Sequence, residues 1–371
     1  MVNVRGFQVP VGRTNPRRFV PAIQEPDMEI GVIGAGAAAA TATHVLDETL
    51  PHASITVLEK SGGVCGRAAT RRRGPVTYDY GANYLKDEDE RVTELVTERL
   101  STEGLVTVDE PIYVFDEAGE VSPGRQSDET KWTYREGLTS IAKRLFGETD
   151  ATVHRRTRVE EIRRDGDAWH LIDSNGDEWG PFDILLCNPP APQTEALLRT
   201  ADWKAPVRER LLEALSEVEY RTIWTAVLGY EFELSRPYYA LVNPGKDHEV
   251  GWIAREECKP GHVPDDKSVL VVQANHEWSV ANLETPSDGI VDDLASLTGS
   301  IMDDDRLAEP SWSDHQRWRY ALPENGVAAG VVEAAADRGL YLLGDWVAGE
   351  GRLHAALRNG LDTGERIAHR S

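Results

Sequence analysis

The chain has 371 residues, of which 40% are hydrophobic and 28% charged, and its 40 basic and 63 acidic residues give a formal net charge of −23. This composition predicts a globular protein with two domains, or one large domain with an insertion. The charge argues against nucleic acid as a partner, and no apolar run approaches the roughly 20 residues of a membrane span. Three widely spaced cysteines, Cys65, Cys187 and Cys258, exclude a disulfide framework and favour a reducing cytoplasm.

Residues 1–27 contain four arginines and four prolines but no apolar core of a secretory signal. We expect no stable structure there, either because the segment is a mobile arm or because translation starts at Met28. Acidic residues cluster at 87–90 and 303–305, and 32 arginines outnumber 8 lysines. Two interpretations of this surface stay open: a salt-adapted, halophilic protein, or an ordinary acidic protein from a GC-rich genome.

The first motif follows an apolar run, MEIGVI at 28–33, that fits a buried parallel strand. Its pattern is GxGxxA, with Gly34 and Gly36 followed by Ala37, Ala38 and Ala39. The first glycine allows a tight turn, the second lets the backbone approach a pyrophosphate, and the third small residue allows close helix packing. An alanine-rich helix is predicted to continue to about residue 50, where a proline ends it.

A second predicted strand, ASITVLE, ends at Glu59, 25 residues after Gly34. A carboxylate at this point can accept hydrogen bonds from both hydroxyls of an adenosine ribose. An isolated GxGxxA pattern can be only a tight turn. Here strand, glycine turn, helix, strand and acid occur in order, which predicts a dinucleotide site of the Rossmann type.

A second glycine cluster, KSGGVCGRAAT, follows at 60–70. A nicotinamide site has no general need for it, whereas flavoproteins of the amine oxidase type use this loop to cross the FAD pyrophosphate, with an arginine, here Arg67, near the phosphates. In such proteins the next segment, YDYGANYL at 78–85, runs close to the flavin ring. The alternative is a glycine-rich surface loop with a chance arginine.

The middle of the chain predicts β structure. Short alternating strands are expected at 151–176, with turns at 165–167 and 175–176, and a buried strand in FDILLCNPPAP is stopped by prolines. RTIWTAVLGYEF, VGWIAREE and SVLVVQANHEWS are predicted strands of a sheet that could cover the flavin, and DGIVDDLASLTGSIM is a predicted helix.

The end of the chain tests the flavin interpretation independently. GLYLLGDW is a predicted strand ending at Gly344 and Asp345, and an aspartate there can hydrogen-bond the ribityl or ribose part of FAD. An amphipathic helix follows, and its N-terminus near Leu353, His354 and Ala355 can stabilise negative charge that develops on the flavin. Because two remote segments supply halves of one FAD site, flavin is favoured over nicotinamide.

With these motifs in order, the chain resembles the renalase-like branch of the FAD-dependent amine oxidase superfamily from about residue 28 to 368. The resemblance rests on LEKSGGVCGRAATRR, YDYGANYL, EECKPGH and, most distinctively, HQRWRYALP before GDW. Two departures could alter the pocket: Cys65 stands where the family usually has glycine, and His262 stands where arginine is common after KPG.

The resemblance implies an α/β protein with a discontinuous, glutathione-reductase-type FAD-binding Rossmann domain at 28–105, 137–200 and 335–371. A second domain with a mixed sheet, at 106–136 and 201–334, would bind the substrate. The residues expected at the cofactor, from the motifs and the resemblance together, are Gly34, Gly36, Ala37, Ala38, Glu59, Lys60, Gly66, Arg67, Gly81, Ala82, Val159, Gly344, Asp345, Leu353, His354 and Ala355.

Renalases oxidise isomers of reduced NAD(P), with FAD taking the hydride at N5 and O₂ reoxidising it to give peroxide. The resemblance therefore implies a small-molecule substrate of the dihydronicotinamide type. We expect noncovalent FAD, since no cysteine lies near the C-terminal motif. The alternatives are oxidation of an amine, desaturation of a polyene, or a flavin-binding redox sensor that uses Cys65. The sequence does not indicate the oligomeric state.

Hydride transfer needs orientation and exclusion of water more than a titrating side chain. Accordingly, the sequence contains no HExxH metal motif, no GxSxG elbow and no P-loop, and we assign neither a metal ligand nor a catalytic residue. The resemblance makes Trp318 and Tyr320 candidates for the pocket wall, with His315 and Trp278 as further candidates. For any single tryptophan in this half of the chain, packing in the core is the competing explanation.

Overall fold

The computed structural model describes residues 28–125 and 128–371, so the prediction made for residues 1–27 lies outside the described residues. In chain order the described strands are β1 Met28–Ile33, β2 Ala53–Glu59, β3 Thr70–Arg73, β4 Val76–Asp79, β5 Leu85–Lys86, β6 Leu105–Thr107, β7 Ile112–Phe115, β8 Val121–Ser122, β9 Lys131–Tyr134, β10 Thr152–Arg155, β11 Val159–Asp165, β12 Ala168–Asp173, β13 Glu178–Phe182, β14 Ile184–Cys187, β15 Tyr220–Tyr230, β16 Ala240–Val242, β17 Val250–Arg255, β18 Ser268–Ala274, β19 Trp312–Pro323 and β20 Leu340–Leu342. The described α-helices are α1 Ala37–Thr49, α2 Glu90–Glu94, α3 Thr139–Gly147, α4 Ala191–Thr200, α5 Pro206–Ser216, α6 His276–Ala281, α7 Ser287–Met302, α8 Ala329–Ala336, α9 Asp345–Ala348 and α10 Leu353–Arg370.

Five strands form a parallel sheet in the order β10-β2-β1-β14-β20. Its central strand β1 places Ile30 opposite Ile55 on one side and opposite Ile184 on the other. These strands are short apolar runs because both faces of a parallel sheet are covered. All five end at one edge, so the residues that follow β1, β2, β14 and β20 gather there, which is where open α/β sheets bind ligands.

The helices α1 and α10 cross one face of this sheet in close contact. Two glycines of α10, Gly360 and Gly364, lie one turn apart and face α1. A Cβ at Gly360 would collide with the carbonyl oxygen of Ala38, and one at Gly364 would lie 2.7 Å from Cβ of Val45. The alanine-rich sequence of α1 and the glycines of α10 therefore let the two helix backbones approach.

Seven strands form a larger mixed sheet in the order β19-β15-β18-β17-β16-β7-β8. We call its two sides the inner face and the outer face. The inner face, with Val227, Ala254 and Val271, packs against Val76 and Tyr78 of the 76–80 region. The outer face packs against α7 in a separate core, whose sheet and helix members include Leu228, Leu241, Ile253, Leu270, Ile290 and Leu294.

This architecture confirms the predicted fold class, an α/β protein with a Rossmann-type parallel sheet and a second mixed sheet. The division into domains at 28–105, 137–200 and 335–371 against 106–136 and 201–334 stays a prediction. It is favoured because the first set of ranges holds every strand of the parallel sheet and the second set every strand of the seven-stranded sheet. Within the described ranges, no helix is long and apolar enough to cross a bilayer.

One strand prediction is wrong at its end. SVLVVQANHEWS was predicted as a single strand, but β18 ends at Ala274 and the helix α6 begins at His276. The side chains of α6 bind the neighbouring strand instead of extending β18: Nδ1 of His276 accepts the N–H of Thr222 at 2.9 Å, and Oγ of Ser279 accepts the N–H of Trp224 at 3.0 Å.

Candidate functional site

The glycine turn after β1 and the carboxylate at the end of β2 meet at the carboxyl edge of the parallel sheet. Gly34 has a left-handed backbone, with φ of +89°, which a side chain would strain. The carboxylate of Glu59 is buried and accepts the N–H of Ala35 at 2.7 Å and of Ser61 at 2.6 Å. A carboxylate offers about four acceptor positions, so Glu59 retains capacity for hydroxyl donors such as those of a ribose.

Asn188, directly after β14, connects this turn to the residue that follows β20, the neighbouring strand. Its Oδ1 accepts the N–H of Gly36 at 2.9 Å, and its Nδ2 donates to the carbonyl of Leu343 at 3.2 Å. A Cβ at Gly36 would collide with Oδ1, so this glycine serves a protein contact as well as the predicted approach to a phosphate. Sequence reasoning missed Asn188. The available signal was a polar residue immediately after a buried strand.

The first turn of α1 leaves backbone donors without an intrahelical acceptor. Its N-cap is Gly36, which has no side chain, and the turn contains no acidic residue. The first N–H groups of an α-helix have no partner within the helix, and here they belong to buried alanines that include Ala37 and Ala38. These donors and the helix dipole can together hold an anionic group such as a phosphate.

The second glycine cluster lies directly beside the first. The N–H of Cys65 donates to the carbonyl of Ala35 at 2.8 Å, and Gly36 pairs with Cys65 in an isolated β-bridge. Gly66 has φ of +54°, and a Cβ there would lie 3.6 Å from Cα of Gly36. The two motifs, which are 30 residues apart in sequence, therefore form one continuous backbone surface.

Arg67 joins this surface to the C-terminal motif. Its guanidinium donates to both carboxylate oxygens of Asp345, at 2.6 and 2.9 Å, and to the carbonyl of Ala321 at 2.9 Å. Burial opposes the charge of Arg67, but the adjacent Asp345 carboxylate outweighs it and raises the arginine pKa above its ordinary value. The two remote segments predicted to share one cofactor thus touch each other through a bidentate ion pair.

The 78–85 segment continues from this junction onto the inner face. The N–H of Ala82 donates to the carbonyl of Arg67 at 2.9 Å, and Nε2 of Gln273 donates to the carbonyl of Gly81 at 2.8 Å. A Cβ at Gly81 would overlap the Arg67 carbonyl. The glycine is therefore required where the segment passes between the second glycine cluster and β18.

At α10, the N-cap is Arg352, which makes no side-chain cap bond, so this helix N-terminus is open like that of α1. The side chain of His354 is 4% exposed, and its Nε2 lies 3.3 Å from a carboxylate oxygen of Glu350 and 3.4 Å from one of Glu88. Leu353 and Ala355 flank it in the first turn. The structure gives His354 a place between two carboxylates, which favours a positioning role.

Two further predicted cofactor residues lie near Glu59. Val159 is buried at the start of β11, and the N–H of Thr157, two residues earlier, donates to the Glu59 carbonyl at 2.8 Å. Lys60 is exposed, and its Nζ donates to Oε1 of Gln193 at 3.0 Å. Val159 thus stays close to the ribose position predicted at Glu59, whereas the amine of Lys60 binds a residue of α4.

The four candidates for the pocket wall fall on different sides of the molecule. Trp318 stacks on Tyr80 with ring centroids 5.4 Å apart, and its indole N–H donates to the Tyr80 carbonyl at 3.2 Å. Tyr320 contacts the ring of Tyr220 at 5.5 Å, and the Tyr220 hydroxyl accepts the N–H that begins α4 at 3.0 Å. The structure keeps both aromatics near the 78–85 segment or the Arg67 junction.

His315 and Trp278 lie away from that place, and their assignment as pocket candidates stays a prediction that this geometry does not favour. His315 is exposed and its ring lies 6.1 Å from that of Trp224, and Trp278 packs against the core of the outer face. The reason is strand alternation: successive side chains of β19 point to opposite faces, so His315 and Trp318 lie on opposite sides.

A fully buried charge network was not foreseen either. Nζ of Lys259 lies 3.1 Å from Oδ2 of Asp79 and 2.7 Å from Oε1 of Glu256. Nδ1 of His262 lies 2.9 Å from Oε2 of Glu256, and its Nε2 lies 2.9 Å from the carbonyl of Tyr134. A carbonyl only accepts, so Nε2 donates a proton to Tyr134, and the contact between Nδ1 and Glu256 holds a further proton between the two side chains.

This network fixes Asp79, the second residue of the 78–85 segment. Burial would raise the pKa of Asp79, but Lys259 and His262 outweigh burial and lower it. Burial likewise opposes the charge of Lys259, and the two carboxylates raise its pKa. The unusual histidine after KPG is therefore a structural partner of Glu256, which itself accepts the N–H of Asp79 at 3.1 Å.

Comparison with known proteins gives the family. A model of flavin-containing amine oxidoreductases matches residues 125–368, which is well over half of the chain, and a model of NAD(P)-binding Rossmann-like domains matches residues 32–99. The chain belongs to the flavin-containing amine oxidoreductase family. It is accordingly an FAD-dependent oxidoreductase, and the flavin prediction is confirmed at the level of the cofactor class.

Solved structures of this amine oxidoreductase fold agree over nearly the whole chain. A protein from Exiguobacterium sp. 255-15 assigned as a protoporphyrinogen oxidase is 16% identical with a TM-score of 0.75, covering 94% of this chain and 100% of its own. Putrescine oxidase bound to putrescine is 12% identical with a TM-score of 0.70, covering 92% and 99%. A fatty acid isomerase from P. acnes that produces CLA is 14% identical with a TM-score of 0.65, covering 92% and 99%. At these identities the likeness shows the fold.

The residues of this flavin-containing amine oxidoreductase fit FAD in two tests that do not use the comparisons. The N-terminus of α1 presents uncapped N–H groups, as a pyrophosphate requires, and they follow Gly34, whose positive φ a side chain would strain, and Gly36, where a Cβ would meet Asn188. Glu59 stands at the end of β2 with spare acceptor capacity, as a ribose requires.

Cys65 does not have the properties of a redox sensor. It is 2% exposed and burial raises its thiol pKa to about 12, so it lacks the thiolate that a redox sensor uses.

Proposed function

We propose that this chain is a renalase-like oxidase that takes a hydride from a small nitrogen heterocycle of the dihydronicotinamide type. The observation that carries this proposal is the set of side chains around the 78–85 segment. They are four aromatic rings and one amide, namely Tyr80, Tyr84, Trp252, Trp318 and Gln273. Such groups orient a flat, neutral ring and exclude water, which is what hydride transfer requires.

FAD, when bound, would supply the hydride-accepting ring, with O₂ as the final electron acceptor. We assign the pyrophosphate to the N-terminus of α1 and the second glycine cluster, and the adenosine ribose to Glu59. Asp345 would bind the ribityl chain while Arg67 holds that carboxylate in place. The uncapped N-terminus of α10 would stabilise negative charge at the ring end of the site.

Oxidation of an amine is the second candidate. It is supported by the family, and by the likeness to putrescine oxidase bound to putrescine. Aromatic rings can also hold an ammonium group through cation–π contacts. The three cysteines are free thiols, and we expect a reducing compartment and a noncovalent flavin for either reaction, since none of the thiols belongs to the C-terminal motif.

The test is anaerobic mixing of the purified yellow holoprotein with two kinds of donor. Acid should first release intact FAD, which shows that the flavin is noncovalent. Borohydride-reduced NAD, which contains the isomeric dihydro forms, should then bleach the flavin absorbance, and admission of O₂ should restore it with formation of peroxide. Bleaching by a panel of primary and secondary amines, with none by the reduced nicotinamides, would replace this proposal by amine oxidation.

A further inference from the structure

The start of α10 carries a group of three potential metal ligands. Nε2 of His354 lies 3.3 Å from Oε1 of Glu350 and 3.4 Å from Oε2 of Glu88. One ligand atom from each of these residues lies within 4.8 Å of the other two. Glu350 precedes His354 by four residues, whereas Glu88 follows β5 in a remote part of the sequence. The fold thus brings one imidazole and two carboxylates together.

His354 is the buried member of this group, and its side chain is 4% exposed. Within the described residues, the two glutamates are the ionic or hydrogen-bonding neighbours of its ring. Hydrogen bonds between an imidazolium and a carboxylate are about 2.7–2.9 Å long, so both observed contacts are too long for a strong one. A single ring nitrogen also cannot donate fully to two carboxylates at once. The spacing therefore does not fit a well-formed direct ion pair.

The same spacing fits a metal ion that lies between the three side chains. In tetrahedral zinc sites the metal is about 2.0–2.1 Å from a histidine nitrogen and about 2.0–2.2 Å from a carboxylate oxygen. Two such ligands at the tetrahedral angle are about 3.3–3.5 Å apart, which matches the 3.3 and 3.4 Å contacts of His354. The side chains of Glu88 and Glu350 are 30% and 43% exposed, so a cation in solution can reach them.

The outer oxygens of both carboxylates are held by basic side chains. Nζ of Lys86 donates to Oε1 of Glu88 at 2.9 Å, and a guanidinium nitrogen of Arg358 lies 3.6 Å from Oε2 of Glu350. Each glutamate therefore directs its other oxygen at His354. Ligating carboxylates in metal sites are oriented in this way by outer partners.

The charges in contact with this group leave an excess of negative charge. Nζ of Lys86 also lies 2.8 Å from a carboxylate oxygen of Glu129, and the guanidinium of Arg358 lies 3.5 Å from one of Asp89. Together with the two glutamates beside the histidine, these contacts join four carboxylates to two basic side chains. A divalent cation balances the excess of two charges when the imidazole is neutral, as a metal ligand must be.

We propose that Glu88, Glu350 and His354 form a binding site for a divalent transition-metal ion of the zinc type. Zinc accepts imidazole together with carboxylates, whereas magnesium and calcium select oxygen ligands. With three protein ligands, a fourth position stays open to water. The ion joins the segment after β5 to the first turn of α10. This inference goes beyond the proposed oxidation and does not depend on it.

The experiment is equilibrium dialysis of the tag-free, oxidised holoenzyme against Zn²⁺, with bound metal measured by atomic emission. The buffer contains about 1 M KCl, which screens charges beyond about 3 Å and suppresses loose accumulation of cations on the acidic surface. The wild type should bind one Zn²⁺ per chain and should prefer it to Mg²⁺. Glu88→Gln and Glu350→Gln each keep the shape of the side chain but remove a ligand charge, and each should weaken binding at least about tenfold.

Glu48→Gln is the matched control. Glu48 is four residues from the buried His44 and lies 3.7 Å from its Nε2, but this pair belongs to no group of three potential ligands within the described ranges. The control should bind Zn²⁺ as the wild type does. Saturating Zn²⁺ should also raise the melting temperatures of the wild type and the control by several degrees. It should leave those of the other two variants nearly unchanged, and melting without metal shows that each variant is folded.

A wild type that does not bind Zn²⁺, or equal binding by all four proteins, would overturn the inference. Equal affinity for Mg²⁺ would overturn it as well, because the imidazole would then not be a ligand. No electron donor is present in these measurements, so each of these outcomes leaves the proposed oxidation standing. That proposal is tested separately by the bleaching of the flavin.

Discussion

The pair formed by Arg67 and Asp345 is the residue contact on which the cofactor site depends most directly. It spans 278 residues of sequence and binds both carboxylate oxygens. Sequence reasoning identified each residue, because each lies in a recognisable glycine motif. It placed the arginine beside phosphates and the aspartate beside the sugar, and it did not predict that the two would contact each other, since nothing local in either motif indicates its partner.

The substitution Asp345→Asn should weaken FAD binding while keeping the shape of the side chain. It leaves the guanidinium of Arg67 largely buried beside a neutral amide. This change lowers the free energy of unfolding by about 1–3 kcal/mol. The ratio of flavin to protein absorbance after gel filtration measures occupancy, and it should fall severalfold. Glu161→Gln, which removes the carboxylate of an exposed pair with Arg163, is the control and should keep full occupancy. Equal occupancy in both variants would contradict this role.

Lys259 compensates two buried carboxylates, so Lys259→Met should destabilise the protein by roughly 3–5 kcal/mol at pH 7. The lowered pKa of Asp79 means that its contribution is present above the unfolded value and is lost as the pH falls. Without the lysine, the carboxylates can regain neutrality by binding protons. The deficit of the variant relative to the wild type should therefore shrink between pH 7 and pH 4, as measured by urea unfolding.

Lys267→Met is the matched control, because Lys267 pairs with Glu231 at the surface and such pairs contribute about 0–1 kcal/mol. A deficit for Lys259→Met that is equally small, or that does not change with pH, would contradict the interpretation of the network. This network was outside the reach of sequence reasoning. Asp79 and Glu256 are far apart in sequence, and a lysine after a short turn is ordinarily exposed.

At the scale of elements, the contact between α1 and α10 aligns two helix N-termini with one edge of the sheet. Both helices were predicted, and their starts agree with the structure at Ala37 and Leu353. Their close approach could not be predicted, because the glycines of α10 were visible in the sequence without any indication of the surface they face. The faces of β19 were likewise not predicted: alternation along the strand places His315 and Trp318 on opposite faces of the sheet.

Gly360→Ala should push α10 away from α1, since the new Cβ collides with the carbonyl oxygen of Ala38. We expect a loss of about 1–3 kcal/mol in the free energy of unfolding and a lower flavin occupancy. Gly330→Ala in α8 is the matched control, because a Cβ there meets nothing within 4 Å. It should stabilise the protein by up to about 1 kcal/mol. If the two variants melt alike, the close helix contact is not required.

For the whole molecule, the order of motifs was sufficient to predict the fold class, because strand, glycine turn, helix and acid define the parallel sheet whatever is inserted between its halves. The interior of the second sheet was less predictable. Which of its faces meets the 78–85 segment depends on register and on the bulge between Arg221 and Ile223, and neither follows from hydrophobic pattern alone.

The net charge of −23 should make thermal stability depend on salt. Screening becomes effective within about 10 Å at 0.1 M and 3 Å at 1 M, so the melting temperature should rise with KCl as repulsion among surface carboxylates weakens. A plateau near 1 M would favour an ordinary acidic protein, whereas a continued rise to 3 M would favour the salt-adapted interpretation. A melting temperature that falls with KCl would show that exposed ion pairs outweigh the repulsion.

Asn188 holds the backbone of the first glycine motif with one end of its amide and the strand before Gly344 with the other. The pocket for the nucleotide is therefore finished only when β20, which lies far along the chain from β1, has joined the sheet. A nascent polypeptide could fold its early strands and still have nowhere to hold the coenzyme.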